Sequence, residues 1–339
     1  MIPSTQRVVM LSKFGGPDGL AVVERPVPEP VAGEVLVKVL AASTQFTDVM
    51  LRKGQYPDLK EKPPLILGYD LVGEVVKVGP GVTSPSVGQR VAELTVTGSY
   101  AQYRTLEASR ATIVDAALDP AEATSLVLSW MTAYQLLHRD ARVVKGQKLL
   151  VVGAAGAVGQ ALVVLGRLAG CEVWGAAGAR HADVVRALGA THVDSDHADY
   201  RLAVPEGFDA VFDGIGEKGF SRSWSAVGPR GHLSAFGVSA GVQQNVSLLR
   251  IGAWFAKLWW WNTFSGARST SFYSITKVRK NHPDWFIADL GQLLSLLKRG
   301  EIKPRIAERV GLDAVADAHS RIERGGLEGK IVLIPNGHS

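Results

Sequence analysis

The chain has 339 residues, 46% hydrophobic and 20% charged, the balance of a soluble globular protein with room for two cored domains. A net charge of +5 suits a phosphorylated, anionic ligand, and basic residues scattered without a stripe argue against a nucleic-acid partner. The single cysteine, Cys171, excludes an internal disulfide and a thiolate zinc cluster, and no apolar run follows Met1, which predicts a cytoplasmic protein without a signal peptide.

Residues 1–127 read as short strands separated by Gly- and Pro-rich turns. The β-rich runs are Arg7 to Leu11, Leu20 to Glu24, Glu34 to Leu40, Leu71 to Val78 and Arg90 to Leu94, and their spacing argues for a compact β-barrel. Between Ala41 and Pro64 a short helical piece, Phe46 to Arg52, interrupts the strands. It carries Asp48 and Arg52, which either form an internal ion pair holding the loop or take part in chemistry, and leads to a polar loop with Tyr56. Tyr100 and Tyr103 either line a cleft or are strand aromatics. Ala121 to His138 has helical spacing and contains Thr132.

The run Lys148 to Gly159, KLLVVGAAGAVG, organises the second half of the chain. A buried-strand pattern leads at once into Gly153, Ala154, Gly156, Ala157, Val158 and Gly159, and an apolar-periodic helix starts there. Ala154 stands at the first glycine of a G-x-G-x-x-G pattern. Gly156 lets the backbone approach a diphosphate, Gly159 lets helix and strand pack closely, and the helix N-terminus offers N–H groups to phosphate. The plainer alternative is a small-residue turn that binds nothing. After a second strand, Cys171 to Gly175, the chain continues Ala176-Ala177-Gly178-Ala179-Arg180-His181, with no acid to receive a ribose 2′-hydroxyl. Small residues at 176–178 leave room for a 2′-phosphate and Arg180 can pair with it, which predicts NADPH over NADH.

Phe208 to Asp213 and His232 to Phe236 read as further strands, so that strands and helices alternate as in a doubly wound parallel sheet. Ligands bind there at strand C-termini, which marks Gly214, Phe236, Gly237 and Ser239 for the nicotinamide half. Gly237 to Gly241 matches G-x-S-x-G, but a polar loop follows instead of the helix a nucleophilic Ser239 needs. His192 to His197, HVDSDH, reads as a solvated loop, not a metal site. Val246 to Phe264, VSLLRIGAWFAKLWWWNTF, contains Arg250 and Lys257, which disfavour a membrane span. It is a helix beside the active-site cleft, a subunit contact, or an interfacial membrane helix, in that order. Ser269 to Ile275 reads as an edge strand, Pro283 to Arg299 as an amphipathic helix, and Pro304 to Val310, Leu312 to Ile322 and Lys330 to Ile334 as a strand, a helix and a strand.

The motifs AASTQFTDVMLRKGQYP, LGYDLVGEVVKVGPGV, VGQRV, TAY, the glycine turn, FDAVFDGIG and GLEGKIVLIP occur in the order of the medium-chain dehydrogenase/reductase superfamily along nearly the whole chain. The chain resembles that superfamily's quinone oxidoreductase and enoyl reductase branch, and is also similar to vesicle amine transport protein homologues. The resemblance implies an α/β protein: a GroES-like β-barrel catalytic domain from residues 1–127 and 299–339, and a Rossmann NADP-binding domain from 128–298. It implies a homodimer paired through the edge strand. Where zinc-dependent members carry a cysteine and the histidine of G-H-E, this chain has Ser43 and Gly68-Tyr69-Asp70, poor zinc ligands, which implies zinc-independent chemistry. The implied activity is NADPH-dependent reduction of a quinone, an enone or an enoyl thioester, with Tyr56 as proton donor, Gln45 reaching nicotinamide or substrate, and Thr132 near the nicotinamide amide. The alternative is an NADPH-binding, lipid- or membrane-associated trafficking protein with little catalysis.

Overall fold

The computed structural model describes residues 1–197, 199–216, 220–237 and 248–337. Ser239 lies outside the described residues. The chain forms two compact units, Met1–Met131 with Asn281–Ser339, and Thr132–Lys280.

The first unit begins with β1 (Thr5–Leu11), β2 (Leu20–Pro26), β3 (Glu34–Ser43), α1 (Phe46–Arg52), β4 (Leu65–Ile66), β5 (Asp70–Val78), β6 (Arg90–Leu94), β7 (Tyr103–Glu107), β8 (Thr112–Val114) and α2 (Pro120–Ser125). β1 lies between β2 and β4 in a three-stranded sheet, while β3, β5, β6 and β8 run side by side in a larger one. β3 is its spine. Val35, Val37, Val39 and Ala41 alternate with Leu36 and Ala42, and all are buried, so both faces of this strand are covered. Asp119 caps α2: its Oδ1 accepts from the N–H groups of Ala121 (3.0 Å) and Glu122 (2.9 Å), with Pro120 in the first turn.

The single helix expected over 121–138 is instead a composite. After α2, residues Leu126–Trp130 and Leu136–Asp140 form widened π turns on either side of α3 (Met131–Gln135). Such turns re-aim the side chains beyond them. The boundary between the units falls inside this composite, after Met131.

The second unit contains β9 (Lys148–Val152), α4 (Ala157–Leu168), β10 (Glu172–Ala177), α5 (Ala182–Ala187), β11 (Thr191–Asp194), β12 (Phe208–Asp213), α6 (Ser221–Ser225), β13 (Val227–Ala235), α7 (Leu248–Phe264), β14 (Ser269–Phe272) and α8 (Ile275–Asn281). Its six strands are all parallel, in the order β11-β10-β9-β12-β13-β14. That is the doubly wound order, and it reverses between β9 and β12. Asp213 pairs with Val152, so the loops leaving both strands open side by side at the switch point.

α9 (Pro283–Lys298), β15 (Ile306–Val310), α10 (Val315–Arg324) and β16 (Lys330–Leu333) complete the first unit. The boundary expected at 298 falls earlier, before Asn281, because α9 belongs to the first unit. Phe286, Leu290, Leu293 and Leu297 form its buried face, it packs on β8 and the Leu126–Trp130 turn, and Lys298 pairs with Asp115 at 2.6 Å. β16 joins the barrel sheet beside β3, with Val332 opposite Ser43. No helix among the described residues is long and apolar enough to cross a membrane.

Candidate functional site

The glycine turn after β9 separates the demands of folding from those of a ligand. Gly153 has φ +82°, a conformation that favours glycine. A Cβ on Gly159 would stand 2.2 Å from the Gly153 carbonyl oxygen and 2.7 Å from Ala154 Cα, so strand and helix meet there backbone to backbone. Gly156 caps α4 with φ −75°, and a Cβ there would meet only the Gly153 oxygen, at 3.3 Å. Packing thus demands little of Gly156, whose missing side chain keeps the helix N-terminus approachable. The first-turn N–H groups, Ala157 and Val158 among them, have no acceptor within the helix by geometry. The arrangement fits a dinucleotide's diphosphate.

At the end of β10, Ala176 and Ala177 are buried and Arg180 is exposed, its Nε 3.0 Å from His181 Nε2. The chain after β10 has no acid of its own here, yet one arrives from the loop after β11. A Cβ on Gly178 would lie 3.2 Å from Asp196 Oδ2. Only the second half of HVDSDH is loop: His192 to Asp194 belong to β11, with His192 Nε2 2.9 Å from the Ala177 carbonyl oxygen, and Asp194 Oδ1 accepts from the Asp196 N–H in the turn that follows. At the next two strand ends, Gly214 and Gly237 interlock: a Cβ on Gly237 would stand 2.5 Å from the Gly214 oxygen, and one on Gly214 would strike the Phe236 ring. Asp213 fixes this corner. Its Oδ1 accepts from the N–H groups of Ile215 (2.8 Å) and Gly216 (3.0 Å), and its Oδ2 from Ser223 Oγ (2.5 Å). Thr132 opens the second unit and is buried.

The first unit holds a buried polar network. Asp70 Oδ1 accepts from the Ser43 N–H (3.1 Å), Ser43 Oγ (2.5 Å) and Thr124 Oγ1 (3.2 Å), and its Oδ2 accepts from Gln45 Nε2 (2.7 Å). Lys330 Nζ, from the last strand, donates to Gln45 Oε1 (2.9 Å) and Ser43 Oγ (3.4 Å). Burial pushes the Asp70 carboxyl up and the Lys330 ammonium down, and each opposes the other's shift by its charge. Both ends of the Gln45 amide are therefore engaged inside this network.

These residues do not fit zinc. The family positions present a hydroxyl at Ser43 and a phenol at Tyr69. The carboxylate of Asp70 is fully committed, and the ammonium of Lys330 already stands among these donors. Among the described residues no group of three or more His, Cys, Asp or Glu side chains is placed to hold a metal.

Beside the network, Tyr56 and Tyr69 join hydroxyl to hydroxyl at 2.6 Å, their rings edge to face with centroids 5.7 Å apart. Tyr69 is buried and Tyr56 half-buried. Burial holds the Tyr69 phenol well above its ordinary 10, so it keeps its proton.

The ion pair expected between Asp48 and Arg52 does not form. Asp48 Oδ2 accepts from the Gln45 N–H (3.1 Å) at the start of α1, while Arg52 Nη2 donates to Glu323 Oε2 on α10 (2.5 Å). Burial, reinforced by the charge of Asp70, raises the Asp48 carboxyl well above its usual range. Tyr100 is a core residue, its hydroxyl 3.4 Å from His319 Nε2, and Tyr103 is a strand aromatic of β7.

Burial, then the nearby Arg52 charge, lowers His319 from 6.5 to about 3. The unfolded chain therefore binds this proton first, and folding stability falls as pH drops below 6.5. Replacement His319→Leu should remove that dependence. Urea unfolding from pH 6.5 to 5 should show the wild type losing roughly 2 kcal/mol more than the variant over this range. Asp48 and Asp70 shift oppositely in both proteins and drop out of the comparison.

A second polar cluster had no sequence signal. Asp140 Oδ2 accepts from Ser234 Oγ and Ser271 Oγ, both at 2.6 Å, and His232 lies between Ser269 Oγ (2.7 Å) and Ser271 Oγ (3.0 Å). It ties β13 and β14 to the end of the composite helix.

The sequence matches the alcohol dehydrogenase GroES-like domain over residues 31–116 and the zinc-binding dehydrogenase family over residues 188–333. It is 30% identical over 349 residues to the synaptic vesicle membrane protein VAT-1 homolog of Rattus norvegicus, covering 97% of this chain and 84% of the relative. It is 30% identical over 339 residues to a 2-haloacrylate reductase of Burkholderia sp, covering 96% of this chain and 98% of the relative. The structure of a mycobacterial protein complexed with NADPH matches with a TM-score of 0.82 at 28% identity, over 97% of this chain and 100% of that one.

Proposed function

Because the chain belongs to the medium-chain dehydrogenase/reductase superfamily of oxidoreductases, we propose that it reduces a quinone or an activated carbon–carbon double bond with NADPH and without a metal ion. The observation that carries this reading is the pairing of a nucleotide-ready glycine turn with a barrel network in which Lys330 occupies the neighbourhood zinc would need. The similarity to a 2-haloacrylate reductase and to an NADPH-bound structure supports it.

NADPH, when bound, supplies a hydride. Gly153, Ala154, Gly156 and the N–H groups of Ala157 to Gly159 hold the diphosphate. Ala176, Gly178 and Arg180 receive the 2′-phosphate, and Thr132, Gly214, Phe236 and Gly237 face the nicotinamide half. Reduction of an activated double bond places the hydride on the β-carbon and leaves negative charge on the carbonyl oxygen and α-carbon, so one proton must be added. Tyr56 donates that proton, and Tyr69, which keeps its own, hydrogen-bonds the Tyr56 oxygen as its proton leaves. Gln45, pinned between Asp70 and Lys330, orients the wall beside them; it is a positioning residue in this reading. The chain acts as a homodimer through β14, the outermost strand of its sheet.

Tyr56→Phe should lower kcat with a 2-enoyl or quinone acceptor about a hundredfold and leave the NADPH dissociation constant unchanged. Tyr69→Phe should lower kcat by roughly tenfold, as loss of one hydrogen bond to a developing phenolate. Equal activity of Tyr56→Phe and wild type would remove Tyr56 from the chemistry.

Arg180 and Asp196 set the cofactor preference in opposite directions. Arg180→Ala should reduce the NADPH/NADH ratio of kcat/KM by about tenfold or more, the scale of one charge-assisted contact. Asp196→Asn should raise the ratio, because a carboxylate beside Gly178 repels a 2′-phosphate. A ratio unmoved by both changes would place the determinant elsewhere.

A further inference from the structure

Tyr56 hangs from the end of a very short helix. α1 has seven residues, too few to persist as a helix alone, so its position is set by what it touches. It closes in a Schellman turn. The Gln55 N–H donates to the Met50 carbonyl oxygen (2.9 Å), the Gly54 N–H donates to that of Leu51 (3.0 Å), and Gly54 has φ +69°. Tyr56 follows two residues after that glycine. Its neighbours Lys53, Gly54, Gln55, Pro57 and Asp58 are exposed, so burial does little to fix this loop.

Three separate contacts hold the end of α1 instead. Arg52 Nη2 and Lys53 Nζ meet the two oxygens of one carboxylate, Glu323 Oε2 and Oε1, both at 2.5 Å. The Gly15 N–H donates to the Arg52 carbonyl oxygen at 3.0 Å. The Phe14 ring lies on Gly54, where a Cβ would stand 3.0 to 3.2 Å from three of its carbons. Of the three, Glu323 carries charge. Arg52 is fully buried, and its Nε and Nη1 have no hydrogen-bond partner among the described residues, so Nη2 alone ties the guanidinium to a partner. Glu323 is anchored in turn. It lies on α10, which packs on α1, one turn after the buried His319, whose Nε2 is 3.4 Å from the Tyr100 hydroxyl in the core of the first unit.

Resting on the reading of Tyr56 as proton donor, we propose that Glu323 is the positioning residue for that phenol. Its two-pronged hold on Arg52 and Lys53 sets the angle at which α1 presents Tyr56. Displacement of a reacting group by about 1 Å can slow a reaction a hundredfold without touching the bound ligand. The signature of this role is a fall in kcat with the NADPH dissociation constant unchanged.

The test is steady-state turnover of a 2-enoyl or quinone acceptor in single and paired variants. Glu323→Gln should lower kcat about tenfold, and Lys53→Met, which removes one prong at an exposed position, about threefold. Lys53→Arg keeps the prong and should retain the wild-type rate. A merely structural role is separated by repeating Glu323→Gln and Lys53→Met in the Tyr56→Phe background. With the phenol hydroxyl gone, neither change should slow turnover further. Circular dichroism checks that each variant is folded, and the Lys53 variants carry the test should Glu323→Gln unfold. Wild-type rates in Lys53→Met and in folded Glu323→Gln, or slowing by the same factor with and without the Tyr56 hydroxyl, would overturn the proposal while leaving Tyr56 in the chemistry. Wild-type activity of Tyr56→Phe would overturn both.

Discussion

Valine at position 159 should abolish nucleotide binding and loosen the second unit, while the barrel unit stays folded. The atoms a Cβ would meet at 2.2 to 2.9 Å are the Gly153 carbonyl and the Ala154 Cα, all backbone, and none can swing aside. β9 and α4 must move apart, which displaces the N–H groups that we propose receive the diphosphate. We expect NADPH affinity to fall at least a hundredfold by calorimetry, and stability to drop by about 3 kcal/mol, the upper range for overpacking. Gly156→Ala is the matched control. Its methyl group meets only one oxygen at 3.3 Å, so the fold should be nearly unchanged in a thermal melt. Affinity should still fall, because the methyl group enters the space the ligand needs. Normal NADPH binding by both variants would place the nucleotide elsewhere.

Lys330→Met should destabilise the protein by about 3 kcal/mol or more, as removal of one member of a buried charge pair does. Among the described residues the ammonium is the one cation joined to Asp70 through both Ser43 and Gln45. Without it the carboxylate is buried among neutral donors, and Gln45 Oε1 loses its partner. Adding Asp70→Asn should recover much of the loss, because the uncompensated charge disappears with its partner. Urea unfolding of the two single variants and the double variant measures this directly. Additive losses would mean that the two charges do not act as a pair.

How far the sequence could be read depends on the range of the interactions involved. The glycine turn, the short helix α1 and the alternation of strands and helices are local, set by turn residues and periodicity within a few positions, and they lead directly to the doubly wound sheet. The implied barrel and the poor zinc ligands at Ser43 and Tyr69 also rest on local motifs. Lys330 is different: it reaches Gln45 from 285 residues away, and no spacing rule connects them. The same holds for Arg52, which finds Glu323 and not the nearby Asp48. Asp196 reaches Gly178 only because β10 and β11 are neighbours in the sheet. α9 carried a clear apolar face, but periodicity shows which side is buried, not which unit buries it. α7 is apolar on nearly every side, so its pattern has no periodic contrast, and only its packing on Trp224 shows which rings are left facing outward.

The central claim is hydride reduction by NADPH without a metal. It is tested most directly by anaerobic loss of NADPH absorbance in protein dialysed against a chelator, with a panel of quinones and 2-enoyl substrates. The account predicts oxidation with at least one acceptor, at a rate unchanged by added zinc and lowered by Tyr56→Phe. No oxidation with any acceptor by well-folded protein, or turnover only after zinc is restored, would contradict it.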